Sequence, residues 1–506
     1  MQHLRLIAVL YVSAMLFGMN VGIQGIVTTI STRGVFGDAC SAQSDRNSTG
    51  SSDGLHVAPT FVSNDMSTTA AGLPQDGEDT LPCLAQEKRI AAVINVMLSL
   101  TNLVSLPNGF LIDAFGAEPV TIAAVGTWVI AIAVSGIAPG NGILWSIALC
   151  SMGWANSAAF MAFSTFHLRE ACENDKGNFA FWSTVSMAFR AVGALASIPM
   201  SEFLNIRGLD LWTLYVIWGA CIGLPALIVF VVLYKQGQRK REAEARAEDI
   251  SVEKPSSGDK LKKAVVDFKA ASATLAFWSL TLRLSVLVVF GSIFIANLGA
   301  IARYHGATQS DIAVVRQHFT YILGGLGVSN PLPGFLIKKV GTRPGIGAVS
   351  GLCLAFLIVC VCGTLHDKGK FTWFFEVGFV AFALWRYWSY SVCALYIPTV
   401  FPDRSAGYGL IFGACGAVAG GLSVAIGGFV THQIQNDPEK LPVVVGVFAA
   451  LGVIAELVAM YTMATLVPRP PASEGQALIP SVQQPEPSEV DEPAAPPQFV
   501  DSVGTA

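Results

Sequence analysis

The chain has 506 residues, of which 53% are hydrophobic and only 13% are charged, and its mean hydropathy is +0.55. Soluble globular proteins carry about 25% charged residues, so this composition argues against a soluble enzyme. The net charge of −4 and the scattered Lys and Arg residues argue against a nucleic-acid-binding protein. The sequence shows no zinc-binding or catalytic motif, so we expect no metal, no cofactor and no enzymatic activity.

Long apolar runs dominate the sequence. Crossing a bilayer core about 30 Å thick takes roughly 20 apolar residues of helix. The runs are continuous rather than alternating, which favours helices over strands. They predict an all-α membrane protein with twelve transmembrane helices, named spans 1 to 12. In chain order the spans are residues 4–30, 89–112, 119–137, 142–166, 178–200, 211–235, 274–300, 312–337, 345–365, 371–396, 405–430 and 441–467.

The distribution of positive charge predicts the orientation. With the N-terminus in the cytoplasm, 18 of the 31 Lys and Arg residues fall inside and nine fall outside. Positive charge is enriched on the cytoplasmic side of membrane proteins. We therefore expect both termini in the cytoplasm, in a multi-pass protein of the plasma membrane that is monomeric. An alternative for span 1 is a cleaved signal peptide, although its apolar stretch is longer than is typical.

The segments between the spans predict the domain organisation. It comprises an N-terminal six-helix bundle (1–235) with an extracellular loop (31–88), a charged cytoplasmic linker (236–273), a C-terminal six-helix bundle (274–467) and a disordered, Pro-rich cytoplasmic tail (468–506). In the extracellular loop, Asn47-Ser48-Thr49 is a glycosylation acceptor pattern, and a chance match that is never modified is the alternative. Cys40 and Cys83 share this oxidising compartment, which favours a disulfide between them.

A repeated segment relates the two bundles. Residues 109–119 (GFLIDAFGAEP) align with residues 334–344 (GFLIKKVGTRP) at a constant offset of 225, and six of the eleven positions are identical. Both copies end a span on the predicted cytoplasmic side. Because a six-helix unit returns the chain to the same side, the halves are parallel repeats with a pseudo-twofold axis along the membrane normal.

The repeat has properties that suit a gate. Its first glycine lets two helices approach closely and its second permits a turn. Asp113 can cap the N-terminus of a neighbouring helix, a contact that is easily broken. A good short turn without a gating role is the alternative. The predicted gating residues are Gly109, Asp113, Gly116, Gly334, Lys338, Gly341, Arg343 and Arg404.

The first copy of the repeat resembles the loop signature G-x-L-x-D-R-x-G-R-R of the major facilitator superfamily. The matching residues are Gly109, Leu111, Asp113 and Gly116. Residues 396–407 (YIPTVFPDRSAG) are similar to that family's Y-x-P-x-x-F-P-x-x-R-x-x-G turn. The long first loop and the charged linker look most like the branch of system-L-type amino-acid facilitators and apicomplexan amino-acid transporters. The resemblance implies two pseudo-symmetric six-helix bundles whose spans 1, 4, 7 and 10 line a central cavity.

Several polar residues lie within the spans, where a charge costs about 2.5–3.5 kcal/mol. An Arg in a low-dielectric cavity favours a carboxylate, which it can hold through two hydrogen bonds. Snorkelling, or packing between helices, is the alternative for each polar residue. The candidate substrate-binding residues are Arg386, Arg190, Arg283, Tyr390, Asn20, Gln24, Asn156 and Asn297. Glu456 in span 12 and the glycines of span 11 (Gly409, Gly413, Gly416, Gly420) are expected to serve packing.

These features favour a transporter of amino acids, neutral and large or aromatic, that works by alternating access. The scarcity of carboxylates in the spans favours facilitated diffusion or exchange over proton coupling. A carrier of another small organic anion such as a monocarboxylate, or of a sugar, with or without proton coupling, is the alternative.

Overall fold

The structure, a computed structural model, describes residues 2–13, 84–137, 141–168, 179–196, 213, 216–217, 219–247, 257–366, 368–370 and 375–465. Within these ranges every regular element is a helix. Asn20, Gln24, Asn47, Cys40 and Cys83 lie outside the described residues, so the predictions for them stay predictions.

The described helices follow the predicted spans. The α-helices are α1 (Gln2–Val12), α2 (Leu84–Leu103), α3 (Ser105–Phe115), α4 (Ala117–Ile137), α5 (Gly142–Ala162), α6 (Phe179–Val192), α7 (Leu224–Ala247), α8 (Ser257–Ser272), α9 (Leu275–Ala296), α10 (Leu298–Tyr304), α11 (Gln309–Leu326), α12 (Pro331–Val340), α13 (Thr342–Leu365), α14 (Phe375–Val400), α15 (Tyr408–Leu422), α16 (Gly428–Asn436) and α17 (Leu441–Thr465). Short 3₁₀ or π-helical turns lie at Phe163–His167, Gly193–Ala196, Gly219–Gly223, Gly327–Ser329, Pro402–Gly407, Ser423–Gly427 and Pro438–Lys440.

Eight helical runs of the described chain are long and apolar enough to cross a membrane, and they correspond to spans 2, 3, 4, 6, 7, 9, 11 and 12. Among the described residues, four spans are each built from two α-helices rather than one. Span 2 is built from α2 and α3, span 7 from α9 and α10, span 8 from α11 and α12, and span 11 from α15 and α16. The break in span 8 falls at a 3₁₀ turn followed by Pro331 at the first position of α12, where a missing backbone N–H costs nothing.

The two copies of the repeat adopt the same backbone conformation. Gly116 has φ 95° and ψ 162°, and Gly341 has φ 91° and ψ 156°. Positive φ is accessible mainly to glycine, so each of these residues ends one helix and starts the next in a geometry that a side chain would strain. The turns between α3 and α4 and between α12 and α13 are therefore structural equivalents.

The bundles touch through equivalent close contacts. A methyl group added at Gly109 of α3 would overlap the carbonyl of Gly409 in α15. A methyl group added at Gly334 of α12 would overlap the side chain of Thr184 in α6. The offset of 225 found in the sequence relates Gly109 to Gly334 and Thr184 to Gly409. The pseudo-twofold axis therefore exchanges the α3–α15 contact with the α12–α6 contact.

The glycines of span 11 form a packing surface, as predicted. Methyl groups added at Gly413 and Gly420 would collide with the backbones of Ser105 and Leu103 in span 2. The Ser105 hydroxyl donates a hydrogen bond to the Gly413 carbonyl at 2.8 Å. Such close approach without bulky side chains is how small residues join membrane helices.

The described residues of the charged linker are helical. Helix α7 continues to Ala247, and residues 257–272 form the separate 16-residue helix α8. Asp259 lies in its first turn and Lys269 in its last, which complements the helix dipole. Its buried Ala264 and Ala271 pack on both bundles, because α8 contacts α3, α15 and the 402–407 turn.

Candidate functional site

A small cavity lies between the two halves of the chain. The described residues that line the cavity belong to α2, α3, α5 and α6 in the first half of the chain and to α9, α14 and α15 in the second half. The lining residues are Leu98, Thr101, Asn102, Ser105, Asn156, Ser157, Phe160, Met161, Arg190, Leu287, Val288, Ser292, Arg386, Tyr390 and Phe412. Because each half supplies part of the wall, a molecule held there would contact both bundles.

Arg190 reaches the cavity from the first half of the chain. It is the twelfth residue of α6, close to mid-depth of the span. Its guanidinium donates a hydrogen bond to Asn156 Oδ1 at 3.3 Å and lies 4.7 Å from the ring centre of Phe160. Asn156 and Phe160 are four residues apart and share a face of α5. Helix α5 therefore fixes the direction in which this guanidinium points.

Arg386 reaches the same cavity from the second half. It lies midway along α14, with its guanidinium carbon 5.7 Å from the ring centre of Tyr390. Gly291 of α9 lies beside it, where an added methyl group would make only an ordinary contact of 3.6 Å with Arg386 Nε. Arg386 Nη1 is buried and has no hydrogen-bond partner among the described residues. A buried donor of this kind is available to bind a ligand or an ordered water.

Aromatic packing holds α14 in this rotation. Phe382, one turn before Arg386, stacks on Phe294 of α9 with ring centres 4.1 Å apart. Trp385 packs against Phe290, also of α9, at 5.5 Å. These rings are fully buried. They occupy the α9-facing side of α14 and leave Arg386 and Tyr390 to line the cavity.

The described residues that line the cavity carry a net positive charge. Arginine stays protonated in proteins, so Arg190 and Arg386 each contribute one charge. No lining residue is an Asp or a Glu. Two carboxylates within the described bundles are engaged elsewhere: Asp113 accepts hydrogen bonds from α15 and Glu456 pairs with Arg283. The arrangement is suited to binding a small anion.

Comparison with known proteins identifies the fold. No protein-family model matches the sequence, and no curated protein matches it. The structure is similar to that of the proton:xylose symporter XylE bound to 6-bromo-6-deoxy-D-glucose, with a TM-score of 0.58 and 14% identity over 92% of this chain and 97% of that one. The chain has the major facilitator fold.

A second solved structure agrees. A bacterial homologue of the iron transporter ferroportin, in an outward-facing state with soaked iron, aligns with a TM-score of 0.51 and 15% identity over 75% of this chain and 90% of that one. The predicted fold class, an all-α multi-pass membrane protein, is therefore confirmed. At these identities the likeness establishes the fold alone, so the amino-acid facilitator branch stays a prediction.

Within the major facilitator fold, two predicted substrate residues lie away from the cavity. Arg283 of α9 forms an ion pair with Glu456 of α17 at 2.7 Å, and each side chain is 2% exposed. Asn297, at the end of α9, donates to the Ile293 carbonyl at 2.7 Å and to the Thr431 hydroxyl at 3.1 Å. We therefore correct both assignments: these residues join helices of the C-terminal bundle, and neither is among the described residues that line the cavity.

The Arg283–Glu456 pair gives a prediction about stability. The Ser389 hydroxyl also donates to Glu456 at 3.1 Å, so the carboxylate is held on two sides. Replacing Glu456 by Gln leaves Arg283 buried without a counter-charge and should lower the free energy of unfolding by about 3–5 kcal/mol. Thermal unfolding of the purified protein measures the loss. The double variant Arg283→Met/Glu456→Met is the control and should recover most of it, whereas equal losses in both would contradict the account.

The predicted cap at Asp113 is confirmed as a contact. Its carboxylate oxygens accept hydrogen bonds from the backbone N–H groups of Gly409 at 3.2 Å and Leu410 at 2.8 Å, at the start of α15. A carboxylate at this position satisfies free N–H groups and complements the helix dipole. The cap joins the N-terminal bundle to the C-terminal one on the predicted cytoplasmic side.

The cap predicts a shift between conformations. Asp113→Asn removes the charge and one acceptor, which should weaken the contact by about 1 kcal/mol and raise the fraction of separated cytoplasmic ends roughly fivefold. Spin labels at the exposed Phe115 and Val340, in a background without reactive native cysteines, report that separation by electron resonance. If the distribution of distances between the two labels does not change, the Asp113 cap has no gating role.

Hydroxyl contacts join the bundles on the opposite side of the cavity. The Ser99 and Ser423 hydroxyls lie 2.7 Å apart, and those of Ser423 and Ser292 also lie 2.7 Å apart. Nearer the predicted outer surface, the Lys88 ammonium donates to Asn436 at 2.7 Å. Spans 2 and 11 are thus closed on each other both above and below the cavity.

The other predicted gating residues occupy the predicted cytoplasmic side. Lys338 is exposed and Arg343 half-buried at the second copy of the repeat. The Arg404 guanidinium lies 5.7 Å from the Phe401 ring centre. The sequence did not single out Tyr387, whose buried hydroxyl has no hydrogen-bond partner among the described residues, or Ser292. Its neighbour Arg386 was the signal for Tyr387, and the sequence pattern gave none for Ser292.

Proposed function

We propose that this chain is an alternating-access transporter and that the cavity is its substrate site. Support comes from the fold, which it shares with a sugar symporter and a homologue of an iron transporter. It also comes from the cavity, whose wall is divided between the two bundles. Rocking of one bundle on the other would expose such a site to each side in turn.

The contacts around the cavity fit this motion. On the predicted cytoplasmic side the bundles meet through the Asp113 cap, and on the other side through the Ser99–Ser423 contact. Each is made of a few hydrogen bonds that water can replace at little net cost. The contact between Gly109 and Gly409 involves no side chain that would have to move aside when the interface opens. The interface can thus open at one end while it stays packed at the other.

The substrate that the cavity supports best is a small organic anion. This observation carries the proposal: two guanidinium groups face the cavity, and no carboxylate lies among its described lining residues. An amino acid, which the sequence favoured, would also place an ammonium group beside these two cations, and the described lining offers that group no carboxylate. The organic-anion alternative therefore takes precedence, and the carboxylate is the group that both substrate classes share.

Paired substrates test this choice. Purified protein in liposomes is assayed for uptake of labelled neutral amino acids and of the 2-oxo acids with the same side chains. We expect uptake of the oxo acids and weak competition by the amino acids. Preferential uptake of the amino acids would instead support the amino-acid transporter that the sequence predicted. Uptake of sugars alone would contradict the anion site.

The absence of an acid in the described cavity lining also bears on coupling. A proton-coupled carrier needs a titratable group that faces the substrate path. The His318–Glu376 pair, at 2.7 Å, joins the middle of α11 to the first turn of α14 and is partly exposed. We expect facilitated diffusion or exchange, so an imposed pH gradient should change the initial uptake rate less than about twofold. A steep acceleration by external acid would contradict this.

A further inference from the structure

A second, smaller cavity adjoins the candidate substrate site. It lies between α6 and α14, and its lining residues are Met187, Arg190, Arg386, Tyr387 and Tyr390. Three of them, Arg190, Arg386 and Tyr390, also line the larger cavity. The two cavities therefore adjoin at the same side chains, and the walls of the smaller one also come from both bundles.

Helical spacing brings these side chains together. Met187 and Arg190 are three residues apart and share a face of α6. On α14, Tyr390 lies three residues after Tyr387 and four after Arg386, so these three side chains also share a face. Because α6 and α14 contact each other, the two faces enclose the smaller cavity between them.

Two polar atoms in this wall have no hydrogen-bond partner among the described residues. They are Arg386 Nη1 and the Tyr387 hydroxyl oxygen, both buried. The Tyr387 residue as a whole is only 8% exposed. A buried tyrosine hydroxyl usually has a hydrogen-bond partner. Since Tyr387 and Arg386 open into one small cavity that adjoins the substrate site, a bound molecule with two neighbouring oxygen-containing groups would satisfy both.

Resting on the proposed function, we propose that the smaller cavity is a subsite of the substrate site and that Tyr387 is its specificity-determining residue. Arg386 holds the carboxylate of the substrate, and the Tyr387 hydroxyl donates a hydrogen bond to an oxygen on the neighbouring carbon. The substrate class is therefore a 2-oxo or 2-hydroxy monocarboxylate, because both carry an acceptor oxygen at that carbon.

The same contact explains how the site rejects a carboxylate without that oxygen. A site that hydrogen-bonds an oxygen of its substrate binds an analogue lacking it poorly, because the buried protein group is then left unpaired. The phenol is a neutral donor, so it distinguishes substrates by hydrogen bonding and leaves the charge contacts to the arginines. An apolar substituent at this position would face the Tyr387 hydroxyl without satisfying it.

Three labelled acids with the carbon skeleton of leucine test the inference. They are the 2-oxo acid, the 2-hydroxy acid and the acid without a substituent at that carbon. Initial uptake by the full chain in liposomes is measured above the leak into protein-free liposomes. We expect at least one of the oxygenated acids to be taken up about tenfold or more faster than the unsubstituted acid. The faster of the two identifies the form of oxygen that the subsite prefers.

Two variants of α14 make the test specific to Tyr387. Tyr387→Phe removes only the hydroxyl and should lower the ratio of oxygenated to unsubstituted acid uptake about tenfold. Tyr396→Phe is the control, because Tyr396 is buried in the same helix but lines neither cavity. It should leave the ratio unchanged. A ratio needs no correction for the amount of folded protein, so a purely structural role of the hydroxyl would not move it.

The outcomes separate this inference from the proposed function. Equal uptake of the three acids by the unaltered protein overturns the subsite while the anion-transporter proposal stands. An unchanged ratio in Tyr387→Phe, or an equal fall in both variants, also overturns the subsite and leaves the hydroxyl to an ordered water. No uptake of any of the three acids overturns both proposals.

Discussion

Replacing Arg386 by Gln should abolish uptake while the protein still folds and reaches the membrane. The guanidinium lines the cavity and has a buried donor without a hydrogen-bond partner among the described residues, so the variant removes a substrate contact rather than a structural one. Losing one partner of a desolvated charge pair costs about 2–5 kcal/mol, which corresponds to a loss of at least about thirtyfold in uptake. Initial uptake rates, normalised to the amount of protein in the membrane, measure the effect.

A matched variant separates this effect from a general loss of positive charge. Lys262 lies on the exposed face of α8 with its side chain 84% exposed. Lys262→Gln removes the same charge far from the cavity and should leave uptake unchanged. Arg386→Lys keeps the charge but loses the two-pronged donor, so partial activity is expected. Normal uptake by Arg386→Gln would remove this residue from the site.

Adding one methyl group at Gly109 should disrupt the packing of the two bundles. The new atom would overlap the Gly409 carbonyl, a backbone group that cannot move aside, and would push α3 from α15 beside the Asp113 cap. Overpacking of this kind costs about 1–3 kcal/mol or more. We expect Gly109→Ala to lower the unfolding temperature by several degrees and to reduce uptake strongly.

Gly126 provides the control for this substitution. It also lies inside a helix, α4, but a methyl group there meets no atom within 4 Å. Gly126→Ala should be neutral or slightly stabilising, because alanine favours a helix over glycine by about 1 kcal/mol. Thermal unfolding and uptake are measured for both variants side by side. Similar behaviour of the two would contradict the close contact.

Local sequence patterns predicted much of the fold. Apolar runs predicted the spans, and the 225-residue repeat predicted two equivalent turns and the Asp113 cap. These predictions succeed because the length of a span, the glycine of a turn and the cap of a helix are each determined by residues close together in the sequence. The linker helix α8 was missed, since its charged composition resembles a coil and its helix is supported by packing of Ala264 and Ala271.

The site was harder to predict, because depth along a helix does not fix rotation about it. Arg190, Arg386, Asn156 and Tyr390 line the cavity as expected. Arg283 sits at a comparable depth but turns toward Glu456, which is 173 positions away in the sequence. Rotation is set by tertiary packing, such as the stacking of Phe382 on Phe294. A single sequence does not reveal such pairings.

Alternating exposure of the cavity is the central claim, and Ser157 is placed to test it. This small residue of α5 lines the cavity and is 3% exposed. Ser157→Cys, in a background without reactive native cysteines, is treated with a membrane-impermeant thiol reagent in right-side-out and inside-out vesicles. The account predicts labelling from both sides, slowed by a transported anion. Labelling from only one side, or labelling that no transported anion affects, would contradict it.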